Sequence, residues 1–296
     1  MIIKQYKEWI NICRMRQIQQ AYCEECRKLS SWNSDDDENQ SEVDVWLVAI
    51  DDSRNTVGLA TIDNNRGCFR VDAFYDPYIG TPSVLHSLLT EVEITCRSLE
   101  PDDSSMNFFI GALGALSGSG NNMFKKYEAP KTDTIEISCY SDEKNKIDIL
   151  VESGFTLVST DYYMSYDFSV CCPRNDKIEG AYSRREKITY ETYKGDEKFS
   201  DDFGVSALKD NVDVGTLLAI KDHMADGHID VFEIKPEYQG TLLRKSLLSK
   251  ALRYCYENGF KRLLVHVTDH AVEELEFYSD LGFKVDYTKY RYNKKI

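Results

Sequence analysis

The stretch Lys235-Pro236-Glu237-Tyr238-Gln239-Gly240-Thr241-Leu242-Leu243-Arg244-Lys245-Ser246-Leu247-Leu248 joins two unlike patterns. Before it, Gly227 to Ile234 reads as a strand. After it, Leu243, Leu247, Leu248, Ala251, Leu252 and Cys255 fall at helical spacings over Leu242 to Asn258, and Gly259 stops the helix. The junction is therefore strand, turn, helix. A helix N-terminus presents amides without intrahelical partners and the positive end of the helix dipole, so it suits an anion. Gly240 supplies a flexible turn there and lets backbone approach a ligand closely.

Working outward, Ile188 to Tyr193, Phe203 to Leu208 and Gly215 to Ile220 read as strands that precede Gly227 to Ile234 in a meander. Downstream, Leu263 to Val267 is a buried-type strand and Val272 to Asp280 a short helix. Leu281-Gly282 ends that helix, and Phe283 to Tyr287 and Tyr290 to Asn293 read as two closing strands.

The first half has the same order. A meander (Val45 to Ile50, Val57 to Ile62, Cys68 to Tyr75) leads to a helix from about Pro82 to Leu99, with Leu85, Leu88, Leu89, Val92 and Cys96 on its apolar stripe. A strand (Thr134 to Cys139), a short helix (Lys146 to Glu152) and Ser153-Gly154-Phe155 follow. Phe155 to Thr160 and Tyr162 to Phe168 then read as two strands. Met1 to Tyr6 adds a strand at the start, and Glu8 to Leu29 a helix. Each half thus runs from a short helix through Gly-Phe (Gly154-Phe155, Gly282-Phe283) into β structure. The pattern predicts a duplicated α/β (α+β) fold with domains at 1–169 and 188–296 and a polar linker at 170–187. In the second copy only Lys194 to Asp202 separates the first two strands. A helical wall there must come from the other copy or a partner.

At about 150 residues per domain, 296 residues suit two domains. The formal net charge is −14. An acidic surface repels phosphate backbones, which argues against nucleic acid and favours cationic small molecules or basic peptides. The N-terminus has no apolar signal core, and the most apolar stretch, Asn107 to Leu116, is too short for a bilayer. The expectation is a cytoplasmic chain with no membrane partner. Nine cysteines, an odd number, show no disulfide framework. Cys23 and Cys26 form a lone CxxC without the about four ligands a zinc site needs, so no metal is expected. Ser34 to Asn39 reads as an acidic loop, and Pro101 to Asp133 as an insertion whose Gly-Ser-Gly lacks the context of a phosphate loop.

The Lys235–Leu248 junction resembles the acyl-CoA motif of the GNAT (GCN5-related) N-acetyltransferase family, Gln/Arg-x-x-Gly-x-Gly/Ala between a strand and a helix. Glu276-Phe277-Tyr278-Ser279-Asp280-Leu281-Gly282-Phe283 resembles the family's closing signature, a Tyr four residues before Gly-Phe. The likeness spans nearly all of 188–296 and extends more loosely to 1–168, a tandem GNAT arrangement. Gln239 matches the motif's first position, but its two later glycine positions hold Leu242 and Arg244. Backbone amides rather than side chains make such a cradle, so an acetyl-CoA site is still expected.

The resemblance implies that Ile234, Gln239, Gly240, Thr241, Leu242, Leu243, Arg244, Lys245 and Asp269 hold acetyl-CoA, the acyl donor. It implies that Tyr278 protonates the departing thiolate: a phenol of pKa about 10 suits a thiolate of pKa about 8.5. An alkylammonium has no lone pair, so the acceptor also needs a base. Glu233 is the first candidate, with Asp230 second and His270 another; strict alternation puts Glu233 and Asp230 on opposite faces unless a bulge intervenes.

In the first copy, Asp76-Pro77-Tyr78-Ile79-Gly80-Thr81-Pro82-Ser83 occupies the motif's place, and Leu150, not Tyr, stands four before Gly154. That copy is expected to be catalytically degenerate and to support the fold, shape the acceptor pocket or mediate homodimer formation. The implied activity is acetyl transfer to a primary amine of a small cationic molecule by direct attack. Alternatives are a non-catalytic tandem protein binding acyl-CoA or a protein partner, an acyltransferase acting on a protein or peptide amine, and aminoacyl-tRNA-dependent transfer. The acidic charge argues against the last.

Overall fold

The computed structural model describes residues 1–6, 12–26, 45–65, 68–99, 133–173, 177–194, 203–222, 224–269 and 272–296. The acidic loop 34–39, nearly all of the 101–133 insertion and His270 lie outside them. The chain forms two compact units. One is Met1–Thr160 with Lys289–Ile296, and the other is Asp161–Thr288.

In the first unit, strands β1 (Ile2–Tyr6), β2 (Val45–Ile50), β3 (Thr56–Asn65) and β4 (Cys68–Tyr75) pair in sequence as an antiparallel meander. Helix α1 (Ile12–Cys26) lies between β1 and β2, and α2 (Pro82–Ser98) follows β4. Leu85, Leu88, Leu89, Val92 and Cys96 are buried on α2, as their three- and four-residue spacing requires. Strand β5 (Thr134–Tyr140) runs parallel to β4 but pairs with it only from Phe69↔Ile135 to Val71↔Ile137. Helix α3 (Lys144–Glu152) ends at Gly154, whose φ of 82° explains why glycine stands there.

The second unit repeats this design. Its meander is β7 (Ile188–Lys194), β8 (Phe203–Lys209), β9 (Val212–Lys221) and β10 (Asp226–Ile234). Helix α5 (Leu243–Glu257) packs seven buried side chains against the sheet, from Leu243 to Cys255. Strand β11 (Arg262–Thr268) is parallel to β10, and α6 (Val272–Asp280) precedes Gly282, φ 100°.

Two expectations need correction. The segment 170–187, expected as a linker, contains helix α4 (Lys177–Glu186). Tyr182 of α4 is buried in the second unit's core. The Ser183 hydroxyl lies 3.0 Å from the Tyr190 hydroxyl, which donates to Ser246 Oγ of α5 at 2.7 Å. Helix α4 therefore adds to the α5 side of the second unit's core.

The closing strands also differ. Each pair is one twelve-residue strand, β6 (Thr156–Asp167) and β12 (Lys284–Lys295). No glycine or proline breaks either run, so the chain stays extended. Residues Asp161–Asp167 of β6 pair with β11 in the second unit, from Asp161↔Thr268 to Asp167↔Arg262. Residues Lys289–Lys295 of β12 pair with β5 in the first, from Lys289↔Tyr140 to Lys295↔Thr134. Each unit therefore takes a strand from the far end of the other copy's sequence.

Candidate active site

The second unit's site is a parting of two parallel strands. β10 and β11 pair only at Asp226↔Arg262, Gly227↔Leu263 and His228↔Leu264. The buried Asp226 pins the joined end: its Oδ2 accepts from Arg262 Nε at 3.0 Å and from Nη2 at 2.5 Å. Beyond His228 the strands diverge and leave a slot. An extra residue, Asp230, bulges from β10, since Ile229 faces Ala219 and Val231 faces Leu218. Simple alternation therefore fails across the bulge, and both Asp230 and Glu233 are exposed. Phe232 and Ile234 pack toward the core, so Glu233 points to the opposite face.

A 3-10 turn (Pro236–Tyr238) and Gln239 carry the chain from β10 to α5. Part of this loop is satisfied internally. The Tyr238 N–H donates to Lys235 O, and the Thr241 N–H donates to Tyr238 O. Thr241 Oγ1 accepts from the Leu243 N–H at 3.2 Å, an ST-type cap. Helix geometry leaves the Leu242 and Arg244 amides without intrahelical acceptors. Gly240 has φ 73°, and a Cβ built on it would meet nothing within 4 Å, so the turn is open to a ligand.

Arg244, at the motif's last glycine position, turns inward. It pairs with Glu274 at 3.0 Å, and its guanidinium lies 4.3 Å from the Phe277 ring centroid, 5.2 Å from Phe232 and 5.8 Å from Tyr278. Leu242 is exposed, and Asp269 follows β11 directly. Lys245 lies in the first turn of α5.

Tyr278 is 3% exposed, between the edges of Phe277 and Phe283. Burial pushes its phenol up to about 12, and the nearby Arg244 charge works the other way. The phenol therefore keeps its proton at neutral pH and can act as a donor.

The opposite face of the slot carries a group that the sequence left unmarked. His266 on β11 points away from the core, where Val265 and Val267 are buried. Its Nε2 lies 3.3 Å from Asp161 Oδ1, a carboxylate with 5% side-chain exposure. Tyr163 stacks on the imidazole at 4.7 Å and on Tyr287 at 4.4 Å. The one signal in the sequence was a polar residue interrupting the apolar run Leu263 to Val267.

The first unit has the same strand parting but a sealed junction. Buried Asp76 accepts from Arg14 Nη2 at 2.7 Å and from the Tyr78 N–H at 2.9 Å. The Gly80 N–H donates to Asp76 O at 2.7 Å, and a Cβ on Gly80 would sit 2.8 Å from both Asp76 O and Val57 O. The loop is folded onto its own backbone, and buried Leu150 stands where the second unit has Tyr278.

Residues 166–283 match the Acetyltransferase (GNAT) family. A GCN5-related N-acetyltransferase from Sphaerobacter thermophilus superposes with TM-score 0.62 at 11% identity, covering 99% of this chain and 95% of its own. A tandem GNAT protein from the clavulanic acid biosynthesis pathway gives 0.51 at 10% identity, over 85% and 82%. A GCN5-related glucosamine N-acetyltransferase region of a fungal multi-domain β-N-acetylglucosaminidase gives 0.57 at 13% identity, over 99% of this chain and 38% of that one. No curated protein gives a significant sequence match.

Proposed function

Because residues 166–283 match the GNAT acetyltransferase family, we propose that this chain moves the acetyl group of acetyl-CoA to a primary amine of a small cationic molecule, with chemistry confined to the second unit. The observation that carries this is Tyr278, buried beside the slot where β10 leaves β11. The first unit has Leu150 instead.

The open turn at Gly240 and the Leu242 and Arg244 amides fit a pyrophosphate at the start of α5. Arg244, released from Glu274, would add a charged donor to phosphate, and Gln239, Thr241, Leu243 and Lys245 complete the junction. The backbone of β10 toward Ile234 faces the slot, where an N–H can polarise a thioester carbonyl. Acetyl-CoA supplies the activated acyl group. Tyr278 delivers its proton to the leaving sulfur, and Asp269 borders the slot at the end of β11. The net charge of −14 suits a cationic acceptor.

Incubation with acetyl-CoA and a panel of polyamines, amino-sugars and aminoglycosides, with free thiol followed, tests the proposal. Turnover is expected and should fall about 100-fold in Tyr278→Phe. Unchanged turnover in that variant removes Tyr278 as the acid. The inward Arg244 favours a second reading, a protein whose donor site stays shut. Absence of acetyl-CoA binding by calorimetry would select it.

A further inference from the structure

We propose that His266, oriented by Asp161, is the base that takes the proton of the acceptor amine, and that the amine enters from the sheet face on which His266 lies. The inference rests on the acetyl-transfer reading above.

Three observations lead to it. The first is position. His266 lies two residues beyond Leu264, the last β11 residue paired with β10, so it stands on the wall of the slot. Tyr278 belongs to the core on the other face, with Val265 and Val267. A thioester in the slot would have a phenol on one side and an imidazole on the other. Acid and base would then not compete for one face.

The second is preparation. Nε2 faces the buried Asp161 carboxylate, which favours the tautomer with hydrogen on Nε2 and the lone pair on Nδ1. Tyr163, directly opposite His266 in the β6 register, stacks on the ring and fixes its plane. Asp161 is thus a positioning residue, and His266 is the group that meets the substrate.

The third is access. In the first unit α1 covers the equivalent face, with Met15 packed on Val48 and Leu59. In the second unit α4, α5 and α6 all contribute to the single core on the Tyr278 side. Among the described residues of that unit no helix takes α1's part, and the His266 side chain is 47% exposed. Glu233 and Asp230, exposed on β10, add negative charge for an ammonium group.

His266 Nδ1 takes one proton from the ammonium and passes it to solvent. The freed lone pair attacks the carbonyl carbon, a C–N bond forms and the C–S bond breaks. Tyr278 gives its proton to the sulfur. The second N–H proton leaves the adduct through His266 and returns by water to the Tyr278 phenolate. One proton is released per acetyl group transferred.

Two measurements test this. Spermidine is titrated into the protein without acetyl-CoA while the His266 ring resonances, assigned by their loss in His266→Gln, are followed by NMR; they should shift. Thiol release from acetyl-CoA with spermidine and the wider amine panel is then measured for the wild type, His266→Gln, His266→Ala and Asp161→Asn. In His266→Gln kcat should fall about 100-fold, with the amine KM changed less than about threefold. Added imidazole should restore part of the rate to His266→Ala, which a merely structural role would not allow. Asp161→Asn should lower kcat by roughly tenfold. Wild-type kcat in His266→Gln, with Tyr278→Phe still impaired, overturns the base and leaves the acetyl-transfer reading intact. Immobile His266 resonances, with turnover present, overturn the entry face. If the wild type turns over no amine in the panel, the acetyl-transfer reading fails, and the assignment of His266 fails with it.

Discussion

Tyr278 and Leu150 hold corresponding places and differ in what burial does to them. For Leu150, burial is a gain. For Tyr278 it raises the phenol from the ordinary 10 to about 12. A raised folded pKa means that the folded state keeps a proton that the unfolded state has lost. The stabilising contribution is complete below pH 10 and disappears as pH rises through about 12. The urea midpoint of the wild type, relative to Tyr278→Phe, should therefore decline between pH 10 and pH 12. An unchanged difference would show that the phenol reaches water. Tyr278 could be found from its spacing to Gly282 because the glycine fixes the end of α6. Arg244 could be named but not placed. Its pairing with Glu274 and its contacts with Phe232 and Phe277 involve residues 12 before it and 30 and 33 after it, and no local pattern records such partners. His266 escaped notice for the same reason, since Asp161 lies more than a hundred positions away in sequence.

Among the elements, the meanders and α2 and α5 were legible because each shows an apolar face at its own period. Helix α4 was not. Its sequence, Lys-Ile-Glu-Gly-Ala-Tyr-Ser-Arg-Arg-Glu, has a glycine at Gly180 and one fully buried anchor among its described side chains, Tyr182. Such a helix owes its stability to packing rather than propensity. Tyr182→Ala should then cost about 3 kcal/mol, read as a lower urea midpoint with unchanged cooperativity. A loss below about 1 kcal/mol would mean that α4 is dispensable to the second unit. The paired closing strands were misread for a different reason. Alternation marks a strand but not its partner, and Asp161–Asp167 of β6 and Lys289–Lys295 of β12 each pair with a strand of the other copy.

At the level of the whole chain, the duplication was plain from element order, while the limits of each unit were not. A fragment cut where the sequence suggested, 188–296, lacks both α4 and residues 161–167 of β6, and so exposes the edge of β11. It should be unfolded or aggregated by circular dichroism and light scattering; a soluble, cooperatively melting fragment would contradict the pairing. The exchanged strands also bear on heredity. A crossover between the two halves of the coding sequence would yield two products, each missing a piece of sheet that the other carries. Neither half can be shed, shuffled into another gene or repaired alone. Whether or not the first copy binds a ligand of its own, its sequence encodes residues 161–167 of the second unit's sheet.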